Sequence, residues 1–263
     1  MLHIANPFAA RVYHEETVSS TMDFARALAA GGEPHGTVIC ADFQDSGRGR
    51  NQRPWMGERG QSLLFTVLLR FEDAGLIPKA LPLKTGLAVS LAIEDLAPSL
   101  SGRVLVKWPN DVMICPAPES APQEKARKTA GILVEADGKI VYIGIGVNVT
   151  QRDFEAEHRA KAVSILQAAG ALPENARFIL LEKILMHLPR ELFPVAPFAP
   201  WQERLTQRLY QKGRQVIFAP GAADSGRLVE GVLSGLGAGG ELLLIPNGEQ
   251  NAEAFVSGEL RVY

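Results

Sequence analysis

The run from Gly131 to Val149 limits most strongly what this chain can fold into. Two apolar stretches, Gly131–Glu135 and Ile140–Val149, flank Ala136-Asp137-Gly138-Lys139, and the Asp-Gly step supplies the positive φ that a tight hairpin turn requires. A paired, continuously apolar hairpin reads as the buried part of a sheet. Gly144 and Gly146 fall on one face of its second strand, where they forfeit side-chain packing. Either a neighbouring helix packs tightly there or a ligand lies flat against the backbone.

Further elements assemble around this hairpin. Ser20-Thr21-Met22-Asp23, followed by apolar positions up to Gly31-Gly32, predicts a capped amphipathic helix with a glycine exit. Thr37–Asp42 and Ser62–Arg70 read as strands, separated by a polar, glycine-rich stretch from Asp45 to Gly60. Leu83–Leu96 predicts a buried helix ending before Pro98, and Val104–Val106 a strand entering a turn at Lys107-Trp108-Pro109-Asn110-Asp111. Cys115–Arg127 reads as a mobile surface loop. Ala176–Phe193 predicts a helix with a Leu181, Leu185, Leu188, Leu192 stripe, bent at Pro189. The four prolines between Pro194 and Pro200 mark a boundary, followed by a short helix from Trp201 to Tyr210. Arg214–Pro220, Arg227–Ser234, Gly240–Pro246 and Glu253–Tyr263 then read as short strands of a small β-barrel. The expected division is 1–210 and 211–263.

Composition narrows the class. A chain of 263 residues that is 46% hydrophobic and 21% charged is neither disordered nor too small for a core. Its net charge of −2 argues against a dedicated nucleic-acid binder. Two cysteines cannot make a disulfide framework and fit a reducing cytosol. No apolar run approaches the ~20 residues of a membrane span, and no secretory signal opens the chain. A soluble cytoplasmic protein is expected.

Several chemistries are disfavoured. Gly138-Lys139 precedes Ile140, so no phosphate loop of Gly-Lys-Ser/Thr type occurs. Gly235, Gly237 and Gly240 have dinucleotide-fingerprint spacing but precede a strand rather than a helix, and read as a hairpin tip. His14-Glu15 lacks a zincin's second histidine, and Gly60-Gln61-Ser62 lacks a nucleophile elbow's second glycine. No metal-ligand set is assigned.

Other segments invite anions. Between Gln44 and Gly60 lie four arginines, Arg48, Arg50, Arg53 and Arg59, against two acids, Asp45 and Glu58. Guanidinium forks match carboxylate and phosphate oxygens, and Gly47 and Gly49 let backbone approach a ligand. A solvated basic loop is the bland alternative. Lys107, Asn110 and Asp111 close an apolar strand with groups suited to ribose, water or Mg²⁺, or form an Asx-type turn around a buried Trp108. Lys128 stands at the mouth of the Ala130–Val134 strand.

In this order, Ser20-Thr21, Gln44 with Gly47-Arg48-Gly49-Arg50, Lys107-Trp108-Pro109-Asn110-Asp111, Lys128–Glu135 and Gly144-Ile145-Gly146-Val147-Asn148 make the chain resemble the biotin protein ligases. The resemblance covers nearly the whole sequence. It implies an α+β fold, a mixed β-sheet flanked by helices, followed by a small SH3-like barrel. It also implies a two-step ligase reaction. Biotin and MgATP give biotinyl-5′-AMP, and the acyl group then passes to a lysine of a biotin carboxyl carrier protein.

By resemblance, Arg48, Arg50 and Lys128 are catalytic and also touch biotin. Ser20, Thr21 and Gln44 hold the ureido ring, while Gly47, Gly49, Gly131, Leu133, Gly144 and Gly146 shape the biotin pocket. Arg50, Arg53, Trp55, Lys107, Asn110, Asp111 and Asn148 hold ATP. Cations there offset the repulsion of carboxylate and phosphate. Because the acyl-adenylate is destroyed by water, Gln44–Gly60 is expected to be mobile when empty and ordered around it.

Two departures stand out. Members commonly carry Asn where this chain has Met22, and Cys115–Arg127 is longer than expected. About a dozen residues precede the first strand, too few for the DNA-binding domain of some members. The ligase-only class is therefore expected, without DNA or membrane partners, and pairing through the central sheet would allow a homodimer. A lipoate or octanoate ligase and a non-catalytic biotin sensor are the competing readings.

Overall fold

The computed structural model describes residues 4–55, 57–117, 125–194, 200–221 and 227–261. A seven-stranded sheet organises most of them. Its strands are β1 (Val12–Glu15), β2 (Val38–Ala41), β3 (Ser62–Arg70), β4 (Val104–Lys107), β5 (Asp111–Ile114), β6 (Arg127–Asp137) and β7 (Ile140–Asn148), in the spatial order β1-β2-β3-β7-β6-β5-β4. The β1–β2 pair is parallel and every other pair antiparallel, so the sheet is mixed. The expected hairpin is β6–β7, with Asp137 opposite Ile140 and Gly138 at φ 57°. It lies between β3 and β5, as its apolar run requires.

Alternation along the strands sends the two faces to different tasks. Phe65, Val67, Ile132, Ile143, Ile145 and Val147 face one way, into a core closed by α2 (Leu81–Leu96) and α5 (Ala176–Leu192). Leu181, Leu185, Leu188 and Leu192 are all buried, and α5 runs on through Pro189. Leu64, Thr66, Gly131, Leu133, Gly144 and Gly146 face the other way. Part of that face is covered by α1 (Thr21–Ala30), through Met22, Ala25 and Ala29. Ser20 caps α1 by accepting from the Met22 N–H at 3.2 Å, and Gly32 at φ 90° lets the chain leave. The space beyond the N-terminus of α1 stays open and becomes the cavity.

Two short helices, α3 (Ala156–Arg159) and α4 (Ile165–Ala169), connect β7 to α5. The helix expected over Trp201–Tyr210 is shorter, α6 (Trp201–Thr206), because Leu209 turns to bridge Val106 at the β4 edge. The five remaining strands are β8 (Gln215–Pro220), β9 (Val229–Leu236), β10 (Leu242–Pro246), β11 (Glu253–Phe255) and β12 (Gly258–Arg261). They form an antiparallel SH3-like sheet in the order β11-β10-β9-β8-β12, open rather than closed into a barrel. The single strand expected over Glu253–Tyr263 is two, divided at exposed Val256; residues 262–263 lie outside the described residues. Gly237 and Gly240 do form a hairpin tip: the Gly237 N–H donates to the Glu241 carbonyl at 2.9 Å.

One core joins this sheet to the larger one. Val216, Phe218, Leu233, Leu242 and Leu260 pack with Leu83, Leu87, Val106 and Trp108, and the Trp108 indole donates to the Gly240 carbonyl at 3.0 Å. Most of the boundary expected at Pro194–Pro200 lies outside the described residues, as do residues 118–124 of the loop expected over Cys115–Arg127. Among the described residues no helix is long and apolar enough to cross a membrane.

Candidate functional site

A cavity of about 550 Å³ opens on the glycine-bearing face of the large sheet. Its floor follows from register. Gly131 lies directly opposite Gly146, and Leu133 opposite Gly144, so two facing strands present a strip almost without side chains. That strip is covered by flat or flexible groups. A Cβ on Gly146 would stand 2.6 Å from Cε2 of Trp55, and one on Gly131 would stand 2.9 Å from Cζ3 of the same ring. A Cβ on Gly144 would stand 3.1 Å from the Met22 sulfur. The occupants of the strip in this conformation are therefore Trp55 and Met22, not a helix backbone. The Trp55 indole nitrogen is buried there without a hydrogen-bond partner.

One polar group gathers near Gly144. Thr66 lies opposite it on β3 and donates through its hydroxyl to Thr21 Oγ1 at 2.9 Å. The Thr21 N–H and hydroxyl both donate to Gln44 Oε1, at 2.8 and 3.0 Å. The α1 N-terminus thus fixes the Gln44 amide. Ser20 lines the same part of the cavity.

The cations come from two sources. Lys107 and Lys128 stand on sheet strands, Lys107 being 3% exposed. Burial pushes the Lys107 ammonium below the ordinary lysine range, while Asp111 and Glu259 pull the other way. Lys128 owes its direction to an irregularity. Val112 pairs with Ala130 but Met113 with Lys128, so Thr129 is an extra residue on β6. Strict alternation would send Lys128 to the core face with Ala130. The bulge shifts the phase by one and turns Lys128 into the cavity, where Nζ lies 2.6 Å from Asp111 Oδ1 and 5.5 Å from the Trp55 ring centre.

The other cations sit on the Gln44–Gly60 loop. Residues 51–54 are exposed, with Asn51 at φ 55° and Gln52 at φ 57°. Both nitrogens of the Arg48 fork reach the Asp23 carboxylate, one at 2.9 Å. The hydrogen bond from Arg48 holds the Asp23 carboxyl below the usual carboxylate range. Arg50 donates to Asn110 Oδ1 at 3.2 Å, and Asn110 Nδ2 donates to the Ile132 carbonyl at 2.8 Å. Arg53 places both fork nitrogens 3.2 Å from the Glu259 carboxylate on β12, which Arg53 holds below its usual range.

Of the expected site residues, Gly47 and Asn148 do not line the cavity. Gly47 is buried under the loop, where a Cβ would stand 2.9 Å from the Gln44 amide nitrogen. Asn148 is buried, and its side-chain oxygen accepts from Gln151 at 3.3 Å. All the other expected residues line it. Sequence reading passed over Glu259, Glu155, Glu157 and His158, which complete the rim. The last three place potential metal-ligand atoms within 4.8 Å of one another, with His158 paired to Glu157 at 3.2 Å. No local motif marks these residues, and they reach the rim only through long-range pairing.

Comparison with known proteins agrees with this geometry. The profile of the Biotin/lipoate A/B protein ligase family matches residues 15–149. The Bifunctional ligase/repressor BirA of Bacillus subtilis is 34% identical over 176 residues, covering 64% of this chain and 50% of that protein. The chain thus spans about half the length of the first curated relatives it matches. The biotin--[acetyl-CoA-carboxylase] ligase of Paracoccus denitrificans is 29% identical over 233 residues, covering 84% of this chain and 90% of that one. The Aquifex aeolicus biotin protein ligase in complex with biotin and ATP superposes with a TM-score of 0.75 at 27% identity, covering 95% of this chain and 97% of that one.

Proposed function

The chain belongs to the biotin/lipoate A/B protein ligase family, and on that premise we propose that it activates biotin with ATP and transfers it to a lysine of a biotin carboxyl carrier protein. The observation that carries this reading is the order of groups along one floor. Thr21 and Gln44 stand at the Gly144 end, and Lys128 with Asp111 at the Gly131 end. A ligand with a polar ring, an apolar stem and a terminal carboxylate matches that order. The relatives' names supply the specific acid, and residues 1–210 form the catalytic unit to which 211–263 are appended.

In the first step a biotin carboxylate oxygen bonds to the α-phosphorus of ATP. The bond from that phosphorus to the oxygen bridging to the β-phosphorus breaks, and diphosphate leaves with the bridging oxygen. Two anions must approach each other, so Arg48, Arg50 and Lys128 act by placing fixed positive charge where negative charge converges. Ser20, Thr21 and Gln44 orient the ureido ring, while Gly131, Leu133, Gly144 and Gly146 admit the stem once Trp55 leaves the strip it covers here. Lys107, Arg53 and Trp55 take the nucleotide. Asn110 acts through Arg50, which it holds. Mg²⁺ travels with ATP phosphates and keeps few protein ligands; Asp111 offers the carboxylate for it, and the ion would neutralise phosphate charge. In the second step the acceptor amine attacks the carbonyl carbon, an amide forms, the proton leaves the nitrogen, and AMP departs.

The test is to incubate the full chain with biotin, MgATP and a carrier domain and weigh the carrier. A mass gain of one biotinyl group is expected. Labelling by lipoate but not biotin, or no labelling by either acid, overturns the reading.

A further inference from the structure

The main cavity shares its cationic end with a second cavity of about 480 Å³. The walls of the second carry four cations, Arg53, Lys107, Lys128 and Lys161, against two carboxylates, Asp111 and Glu259. The lining carries a formal charge of four minus two, or +2, in a chain whose net charge is −2. Such a concave positive surface selects polyanions. Lys161 and His158 enter it through backbone pairing. The Lys128 N–H donates to the Lys161 carbonyl at 2.8 Å, and the Val163 N–H donates to the Lys128 carbonyl at 2.9 Å. This parallel bridge fixes the segment to the strand that carries Lys128.

We propose that Lys161, seconded by His158, holds the diphosphate end of the nucleoside triphosphate and stabilises diphosphate as it leaves. The inference rests on the proposed activation of biotin by ATP. When the bond between the α-phosphorus and the bridging oxygen breaks, the electron pair stays with that oxygen, so negative charge grows on the diphosphate. Lys128 faces the carboxylate and α-phosphate, and Lys161, zipped beside it, meets the charge that accumulates farther along the chain of phosphates. The side chain of Lys161 is exposed, so the same cation offers the product a route to solvent. Acyl transfer to the carrier involves no diphosphate and therefore makes no use of Lys161.

The test uses the full chain as wild type, Lys161→Gln, Lys161→Arg and His158→Gln. Two reactions are followed, biotin-dependent exchange of labelled pyrophosphate into ATP and transfer to a carrier domain from supplied biotinyl-5′-AMP. Lys161→Gln is expected to raise KM for ATP and for pyrophosphate about tenfold, as loss of one charge-assisted contact predicts. KM for biotin and the transfer step should stay within about twofold of wild type, and Lys161→Arg should restore most of the exchange. His158→Gln should shift the same two constants by a smaller factor. Unchanged constants for ATP and pyrophosphate overturn the proposal, as does an equal loss in both reactions. If wild type shows no biotin-dependent exchange, the functional reading fails. Binding of inorganic pyrophosphate alone to wild type and Lys161→Gln then decides the subsite, and equal affinities overturn it.

Discussion

The cavity's positive charges stand on two kinds of support. Lys107 and Lys128 project from strands whose neighbours are buried, and register with one bulge sets their direction. Arg48, Arg50 and Arg53 stand on a loop with little buried surface of its own, and each is placed by a partner from another element: Asp23 on α1, Asn110 before β5, and Glu259 on β12. Sheet lysines are directed by the backbone that carries them, Lys128 pairing with Asp111 as well, whereas loop arginines are aimed by partners on other elements that an anion must displace or share. Pre-aimed charge requires no reorganisation during reaction, so it contributes more to the transition state than charge recruited from a loop. Local openings cost least where few apolar contacts hold a segment, which suits a loop that must part to admit ligand.

The largest effect belongs to the sheet. Lys128→Met keeps much of the aliphatic stem and removes the charge, and adenylate formation measured by pyrophosphate exchange is expected to fall about a thousandfold, as when a preorganised charge-stabilising group is lost. Arg48→Gln should cost closer to a hundredfold, because Arg50 remains beside it. If the Arg48 variant loses as much as the Lys128 variant, the contrast between the two supports is broken. An effect of the same size as that of Arg48→Gln tests the floor between them. Gly146→Val would drive two methyl groups into the space of Trp55, and about a hundredfold rise in KM for biotin is expected together with about 1–3 kcal/mol of destabilisation from overpacking. Trp55→Ala in the Gly146→Val background should recover the stability, read by thermal unfolding, without recovering biotin binding.

Much of this was legible locally. The β6–β7 hairpin declares itself through Asp137-Gly138 and two apolar runs, and the α1 cap through Ser20, because both signals act over a few residues. Composition alone likewise singles out the arginine-rich loop, and Arg48, Arg50 and Arg53 do line the cavity. What the sequence did not disclose are consequences of distant pairing. The extra residue at Thr129 is invisible until β5 is laid beside β6, yet it decides which way Lys128 points. Asp23, in the first turn of α1, proves to be the partner of Arg48. Glu259 and His158 carry no motif, and Asn148, placed at the site by resemblance, does not line the cavity and accepts from Gln151. The glycine strip was expected to receive a ligand or a helix, and Trp55 from the loop covers it in this conformation.

Asp23 offers an intermediate test. Asp23→Asn leaves the helix cap in place but loosens the Arg48 fork, and about a tenfold loss of exchange activity is expected, less than for removal of Arg48 itself. The pH dependence has a definite sign. The folded-state pKa of Asp23 is depressed by Arg48, so its contribution to stability is present above the ordinary carboxylate pKa and is lost as pH falls through the depressed value. The carboxylate is 42% exposed, so solvent screening keeps that contribution small. Acid unfolding of Asp23→Asn should show a shallower fall over that window than wild type, and coincident acid limbs would show that Arg48 is not held by Asp23 in solution.

The smallest effect sharpens the comparison most. Arg53 is 61% exposed and its bond to Glu259 ties the loop to the C-terminal sheet. An exposed pair contributes about 0–1 kcal/mol, so Glu259→Gln should leave the unfolding temperature within a few degrees of wild type. Release of the loop should nevertheless show in limited proteolysis. Cleavage between Gln44 and Gly60 is expected to quicken about two- to threefold in the unliganded Glu259→Gln chain, in line with the energy of one exposed pair, and biotin with ATP should slow it in both proteins. The lysines on β4 and β6 take their direction from the sheet, although Glu259 also acts on the Lys107 charge, so a cut confined to the loop, without new cleavage near Lys107 or Lys128, separates the two supports. Cleavage that quickens equally in the strands would mean that Glu259 stabilises the sheet edge rather than the loop. The arginines and lysines would then share a single support.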